Sequence, residues 1–288
     1  MGEDMIPPKK IPPLPPASQQ GTSRVQFGKL GNALGQKILL YGTGGIGKST
    51  LACMAPGPVA YLDAENRLGS LKSELVSLKI IPPAIIPAHD WTSLRAALQS
   101  GGWDGIKSIV IDSVTVVEEW CIKSVLETVK TFSTPPQKAQ SLEDYGFGKD
   151  VRVVYEHFLP LIGDLDRHAR AGRHILLIAH DCKPEESNPM GANYVRFEPR
   201  LRTSKKGDNS IRLRVKEWCD FVGFICYDLN LSKDERGKLN KKAEGSGTRT
   251  MYLQETPAYM AKNHGHPDSI DLNYGESPWS EILPRSTI

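Results

Sequence analysis

Residues 37–50 read Lys37-Ile38-Leu39-Leu40-Tyr41-Gly42-Thr43-Gly44-Gly45-Ile46-Gly47-Lys48-Ser49-Thr50. An apolar strand runs directly into a Gly-x-x-x-x-Gly-Lys-Ser loop, and that context separates a phosphate loop from a glycine-rich turn with a chance lysine. Glycines permit the tight turn that points successive backbone N–H groups at phosphate oxygens. The helix starting near Lys48 adds the positive end of its dipole. Lys48 is placed to reach the β- and γ-phosphates, and the Ser49 hydroxyl to hold Mg²⁺. Gly42, Thr43, Gly44, Gly45, Ile46, Gly47, Lys48, Ser49 and Thr50 are therefore the expected nucleotide contacts.

Outward from this loop the pattern alternates strand and helix. Val59-Ala60-Tyr61-Leu62 reads as the next strand, followed by a helical stretch over 68–78 and a short edge strand at 85–88. Asp90 is suited to cap a helix carrying Trp91, Leu94 and Leu98 on one face. Ser108-Ile109-Val110-Ile111 and His174-Ile175-Leu176-Leu177-Ile178-Ala179 have no polar face, as buried parallel strands should not. Helices are expected over 116–128 and 151–171, the second kinked at Pro160, with loop between them. Residues 221–229 and 248–255 read as an antiparallel hairpin whose tip is the charged loop 232–247. The expectation is an α/β fold, a mainly parallel sheet with helices on both faces and a C-terminal antiparallel hairpin.

The 288 residues suffice for one large core, here residues 31–288, preceded by a disordered Pro-rich arm and linker at 1–30; residues 21–36 are transitional, with Phe27 their one large anchor. Hydrophobic content of 39% with 24% charged residues reads as soluble and globular, and no apolar run approaches a membrane helix. The five cysteines are odd in number and lack C-x-x-C spacing, which favours reduced thiols in a cytoplasm. A net charge of +3 announces no nucleic-acid partner, so any such signal must be local.

Ligands of such sheets bind at the carboxyl ends of the strands. There, Asp112 follows Ile109-Val110-Ile111, suited either to Mg²⁺ through its water shell or to a helix cap. Asp63-Ala64-Glu65-Asn66 follows the second strand, where Glu65 could activate water or merely end a turn. His180 follows Ala179, as a γ-phosphate sensor or a backbone-bonded histidine.

Taken in order, the phosphate loop, Tyr61-Leu62-Asp63-Ala64-Glu65-Asn66, Ile109-Val110-Ile111-Asp112-Ser113 and Leu176-Leu177-Ile178-Ala179-His180 resemble the ATPase core of the RecA recombinase. More closely, the chain resembles phage-encoded, single-domain RecA-like ATPases linked to single-strand annealing, the Sak group. That likeness covers most of residues 37–265 and includes Asp144-Tyr145-Gly146-Phe147-Gly148-Lys149 and Arg196-Phe197-Glu198-Pro199-Arg200-Leu201. It implies a RecA-like P-loop core, ATP and Mg²⁺ as cofactors, Ser49 and Asp112 at the metal, and Glu65 as catalytic base. It sets His180 at a sensor position where RecA has an amide. Ala261-Lys262-Asn263-His264-Gly265 resembles the Lys-Asn-Arg-Phe-Gly motif of the RadA branch, with His264 in place of arginine. By that likeness Lys262 reaches the ATP of a neighbouring subunit, and the active form is a homo-oligomer in a bacterial host cytoplasm.

The loops after the Asp112 and His180 strands correspond to those that hold single-stranded DNA in RecA. Lys138, Tyr145, Phe147 and Lys149 lie in the first; Lys183 and Tyr194 lie in the second. From Arg196 to Lys216, through Arg200 and Arg202, eight Lys/Arg face two acids. Basic groups with interleaved aromatics suit sequence-independent single-strand binding, although charge runs are usually solvated faces. The expected function is ATP-dependent annealing or strand exchange. The rivals are an ATP-switched loader of a helicase or single-strand-binding protein, and a small-molecule P-loop kinase.

Overall fold

The computed structural model describes residues 34–283, apart from 147, 189, 205–207, 231–243 and 266. The arm at 1–30 with Phe27, Phe147, Lys205, Lys206, most of the hairpin loop and His266 lie outside the described residues.

β1 (Lys37–Gly42) leads through the phosphate loop to α1 (Lys48–Cys53), then β2 (Val59–Asp63). The stretch expected as one helix divides into a 3-10 turn, Leu68–Leu71, and α2 (Lys72–Ser77). β3 (Ala84–Ile85) is the short edge strand. α3 (Trp91–Gln99) starts at Asp90, whose side chain accepts from Ser93 N in a capping box, and Trp91, Leu94 and Leu98 are its buried face. β4 (Ser108–Asp112) precedes α4 (Val114–Thr128), and α5 (Lys149–Arg170) runs through Pro160 without interruption. β5 (His174–Ala179) follows.

The segment after β5 is more ordered than its composition suggests. Four two-residue strands, β6 (Asp181–Cys182), β7 (Glu185–Glu186), β8 (Tyr194–Val195) and β9 (Glu198–Pro199), pair as ribbons β6–β9 and β7–β8. Part of the basic stretch is α6 (Ile211–Trp218), capped by Ser210 Oγ accepting from Leu213 N. β10 (Phe221–Asn230), β11 (Glu244–Tyr252), β12 (Ser269–Asp271) and α7 (Trp279–Ile282) are the last elements of the described residues.

The main sheet has the order β12-β11-β10-β1-β5-β4-β2-β3. Every pairing from β10 to β3 is parallel; β10–β11 and β11–β12 are antiparallel. β5 stands between the phosphate-loop strand and the Asp112 strand, which gives a RecA-like α/β P-loop core with a C-terminal antiparallel extension. β10 is more than a hairpin arm: it runs parallel to β1 as a central strand before it turns into β11.

The continuous apolar runs follow from burial on both faces. Leu39, Tyr41, Ile109, Ile111, Ile175 and Leu177 pack on one side with α3, α4 and α5. Ile38, Leu40, Val110, Leu176 and Ile178 pack on the other with α1 and α7. The five cysteines are free thiols. No helix among the described residues is long and apolar enough to cross a membrane.

Candidate nucleotide site

The carboxyl ends of β1, β2, β4 and β5 converge on a cavity of about 520 Å³ lined by Gly44, Gly45, Gly47, Lys48, Ser49, Thr50, Glu65, Asp112 and His180, among others. The phosphate loop, the two carboxylates and the histidine are therefore brought together.

Gly47 has φ 96°, a left-handed conformation that glycine adopts without strain. Gly44 and Gly45 border the cavity, and a Cβ on either would meet no atom within 4 Å, so the loop leaves an open cradle. Lys48 is buried, and its Nζ donates to Gly42 O at 2.6 Å and Thr43 O at 2.8 Å. Burial pulls its pKa below the usual lysine value, against the attraction of Asp112, Asp181 and Glu65.

Asp112 accepts from Ser49 Oγ at 2.5 Å and from Tyr61 OH at 2.5 Å, both on Oδ2. Burial raises its pKa, opposed by those two donors and by Lys48. The helix-capping role that competes for such an aspartate belongs to its neighbour, because Ser113 Oγ accepts from Val116 N. Among the described residues no three His, Cys, Asp or Glu side chains form a metal cluster. One hydroxyl and one carboxylate, both oxygen donors, instead suit a hard cation that keeps most of its waters, as Mg²⁺ does.

The acidic pair at the end of β2, Asp63 and Glu65, divides its roles. Asp63 ends the strand locally, accepting from Arg67 N at 2.9 Å and Leu68 N at 2.8 Å. Glu65 reaches across: Oε1 accepts from Ser113 Oγ at 2.6 Å and lies 2.6 Å from His180 Nε2, while Oε2 is 3.2 Å from Arg67 Nη1. Burial raises the Glu65 pKa, but the Ser113 and His180 hydrogen bonds, with the charges of His180 and Arg67, outweigh it and hold the carboxyl low. His180 is also tied through its backbone. Its N–H donates to Thr115 Oγ1 at 3.1 Å, and its carbonyl accepts from Arg200 N at 2.8 Å.

A family model described as an AAA domain matches residues 34–264. The chain belongs to that AAA domain family. Among curated proteins no sequence matches it. One similar solved structure is the flagellar accessory protein FlaH from Methanocaldococcus jannaschii, with 9% identity, coverage of 84% of this chain and 86% of that one, and a TM-score of 0.38. The family makes the chain an AAA-type P-loop ATPase domain, and the cradle, the buried lysine and the oxygen donors fit a nucleotide with Mg²⁺.

Other candidates in this AAA domain lie apart from the cavity. Lys262 does not line it; its Nζ donates to the carbonyls of Lys216, Glu217 and Cys219 at the end of α6. Of the cationic candidates for DNA, Lys138, Lys149, Lys183 and Arg200 are exposed and enter no ion pair among the described residues. Lys149 Nζ stands 5.2 Å over the exposed Phe132 ring and Lys183 Nζ 4.6 Å over Phe197. Arg196 is engaged internally, its side chain only 12% exposed between Glu198 and Glu255. Arg202 pairs with Asp150, and Lys216 with Glu255. Tyr194 is half-buried. Tyr145 is a core residue, 2% exposed with its hydroxyl donating to Val125 O and Val129 O, so its ring does not offer a stacking face.

Sequence reasoning missed Tyr61, Arg67 and Arg249. Nothing in the local pattern marks a strand tyrosine as a partner of Asp112, or an arginine of the distant β11 as a wall of the cavity.

Buried Glu118 in α4 holds the Arg202 segment, accepting from Arg202 N at 2.7 Å. Burial pushes its pKa from the ordinary 4.5 up to about 7, despite Arg202 and Arg212. Between pH 4.5 and 7 the folded chain keeps a proton that the unfolded chain releases, so this group's contribution falls as pH rises. Glu118→Gln retains a carbonyl acceptor without the charge. It should therefore be more stable than wild type at pH 8, by up to roughly 3 kcal/mol, with the gap closing towards pH 4.5. Urea melts at the two pH values check this; equal stability at pH 8 contradicts it.

Proposed function

We infer that this AAA domain is a Mg²⁺-dependent ATPase that binds single-stranded DNA and promotes annealing or strand exchange. The observation that carries the reading is one hydrogen-bonded path. Glu65 contacts His180, and the His180 carbonyl takes the Arg200 N–H, in a segment whose neighbours after β5 include the exposed Lys183. A partner engaging Arg200 would therefore bear on the carboxylate expected to activate water.

Each residue has a definite role in this reading. Lys48 would leave the Gly42 and Thr43 carbonyls for phosphate oxygens, while Ser49 and Asp112 would hold the cation. The bound cation supplies charge neutralisation at the phosphates. Glu65 takes the proton of the attacking water once Ser113 and His180 release Oε1, because a carboxylate saturated by donors is a poor base. His180, freed from Glu65, can meet the terminal phosphate.

The resemblance to RecA-like proteins adds a homo-oligomer with ATP between subunits, in which Lys262 would act on a neighbour's site. That role requires Lys262 to leave the three carbonyls it holds in its own chain.

A second reading has its own support. Arg196, Arg202 and Lys216 direct their charge into internal pairs, which thins the basic surface and favours an ATP-switched loader of a replication or recombination partner. Complementary single strands mixed with the purified protein separate the two. ATP-dependent duplex formation supports annealing. Absent annealing with ATP-dependent capture of a helicase or single-strand-binding protein supports the loader.

A further inference from the structure

Arg249 lies in β11, 203 residues from Ile46, yet its guanidinium rests on the phosphate loop: Nη1 donates to Ile46 O at 2.8 Å. The contact depends on Gly47, since a Cβ there would stand 2.3 Å from Nη1. Directly opposite on β10, Tyr227 pairs in register with Arg249, and both border the cavity that holds Lys48 and Ser49. Among the described residues no carboxylate lies within ion-pair distance of Arg249.

A single carbonyl uses one of the five N–H donors of a guanidinium. The remainder, with full charge, border a space that also holds a buried lysine. Two cations on one cavity repel unless an anion lies between them, and a forked guanidinium matches phosphate oxygens better than a point charge does.

We propose that Arg249 binds the terminal phosphate of the nucleoside triphosphate in cis, so that the C-terminal hairpin distinguishes triphosphate from diphosphate. The proposal rests on the nucleotide reading of the site and extends it to a residue outside the core motifs. It also gives β10 a second role, because the strand that completes the core sheet carries the arm that presents Arg249 to the loop.

Calorimetric titration of the full chain with Mg–ADP and with a non-hydrolysable β,γ-imido ATP analogue tests it. Wild type should prefer the triphosphate. Arg249→Gln should weaken the analogue by roughly 10- to 100-fold, the loss expected for a hydrogen bond to a charged group, and leave ADP within about twofold. Equal weakening of both nucleotides would mean that Arg249 only braces Ile46, and overturns the proposal; so does unchanged binding of both. If thermal melting shows that Arg249→Gln does not fold, Arg249→Lys is read instead. Loss of the fork should still lower the triphosphate preference at least about threefold, and an unchanged preference overturns it. A wild type that binds neither nucleotide removes the nucleotide reading itself, whereas normal wild-type binding with an indifferent variant removes only Arg249.

Discussion

Glu65→Gln should bind Mg–ATP as wild type does and turn it over at least about 100-fold more slowly, the lower end of what a positioned general base contributes. The side chain is isosteric, so the Ser113 and His180 contacts can persist and the fold is undisturbed. What disappears is the carboxylate that accepts a proton. The geometry makes this a sharp case, because Asp63 is occupied by Arg67 N and Leu68 N and cannot substitute. Asp112 is held by Ser49 and Tyr61. Phosphate release measured beside nucleotide titration decides it. Unchanged turnover removes Glu65 as the base; lost binding assigns it to the nucleotide pocket instead.

Glu198→Ala should lower folding stability by about 3–5 kcal/mol, the range for removing one partner of a buried ion pair. Glu198 is 3% exposed and lies between Arg212 Nη1 and Arg196 Nε. Arg212 is itself 8% exposed, and its Nη2 donates to Leu201 O at 3.1 Å. Deleting the carboxylate leaves two guanidiniums without their central counter-charge, one of them almost without access to water. Nearly all of the effect is therefore desolvated charge, with little from lost packing. Urea unfolding should show a lower midpoint with an unchanged m-value. A loss below about 1 kcal/mol, typical of solvated pairs, would mean that the network is water-screened.

That pair also shows where sequence reading succeeds and where it stops. Local signals were legible: the phosphate loop, the all-apolar strands and the Asp90 cap depend on neighbours a few residues away, and the structure has each of them. Choices between adjacent residues were not. Asp63 and Glu65 look alike in sequence, as do Asp112 and Ser113 as helix caps; their roles separate only when β2, β4 and β5 lie side by side. Long-range pairing was least legible. Nothing near Phe221 announces that β10 runs parallel to β1, and nothing near Arg249 announces Ile46. The basic stretch illustrates the same limit. Counting Lys and Arg gives a charged face, but folding sends Arg196 and Arg212 into Glu198 and Arg202 onto Asp150.

The most direct measurement is duplex formation from complementary single strands mixed with the purified wild-type chain, with and without Mg–ATP. Annealing should be fast only when Mg–ATP is present. Annealing at the same rate without nucleotide, or no binding of single strands in either condition, would contradict the proposed function.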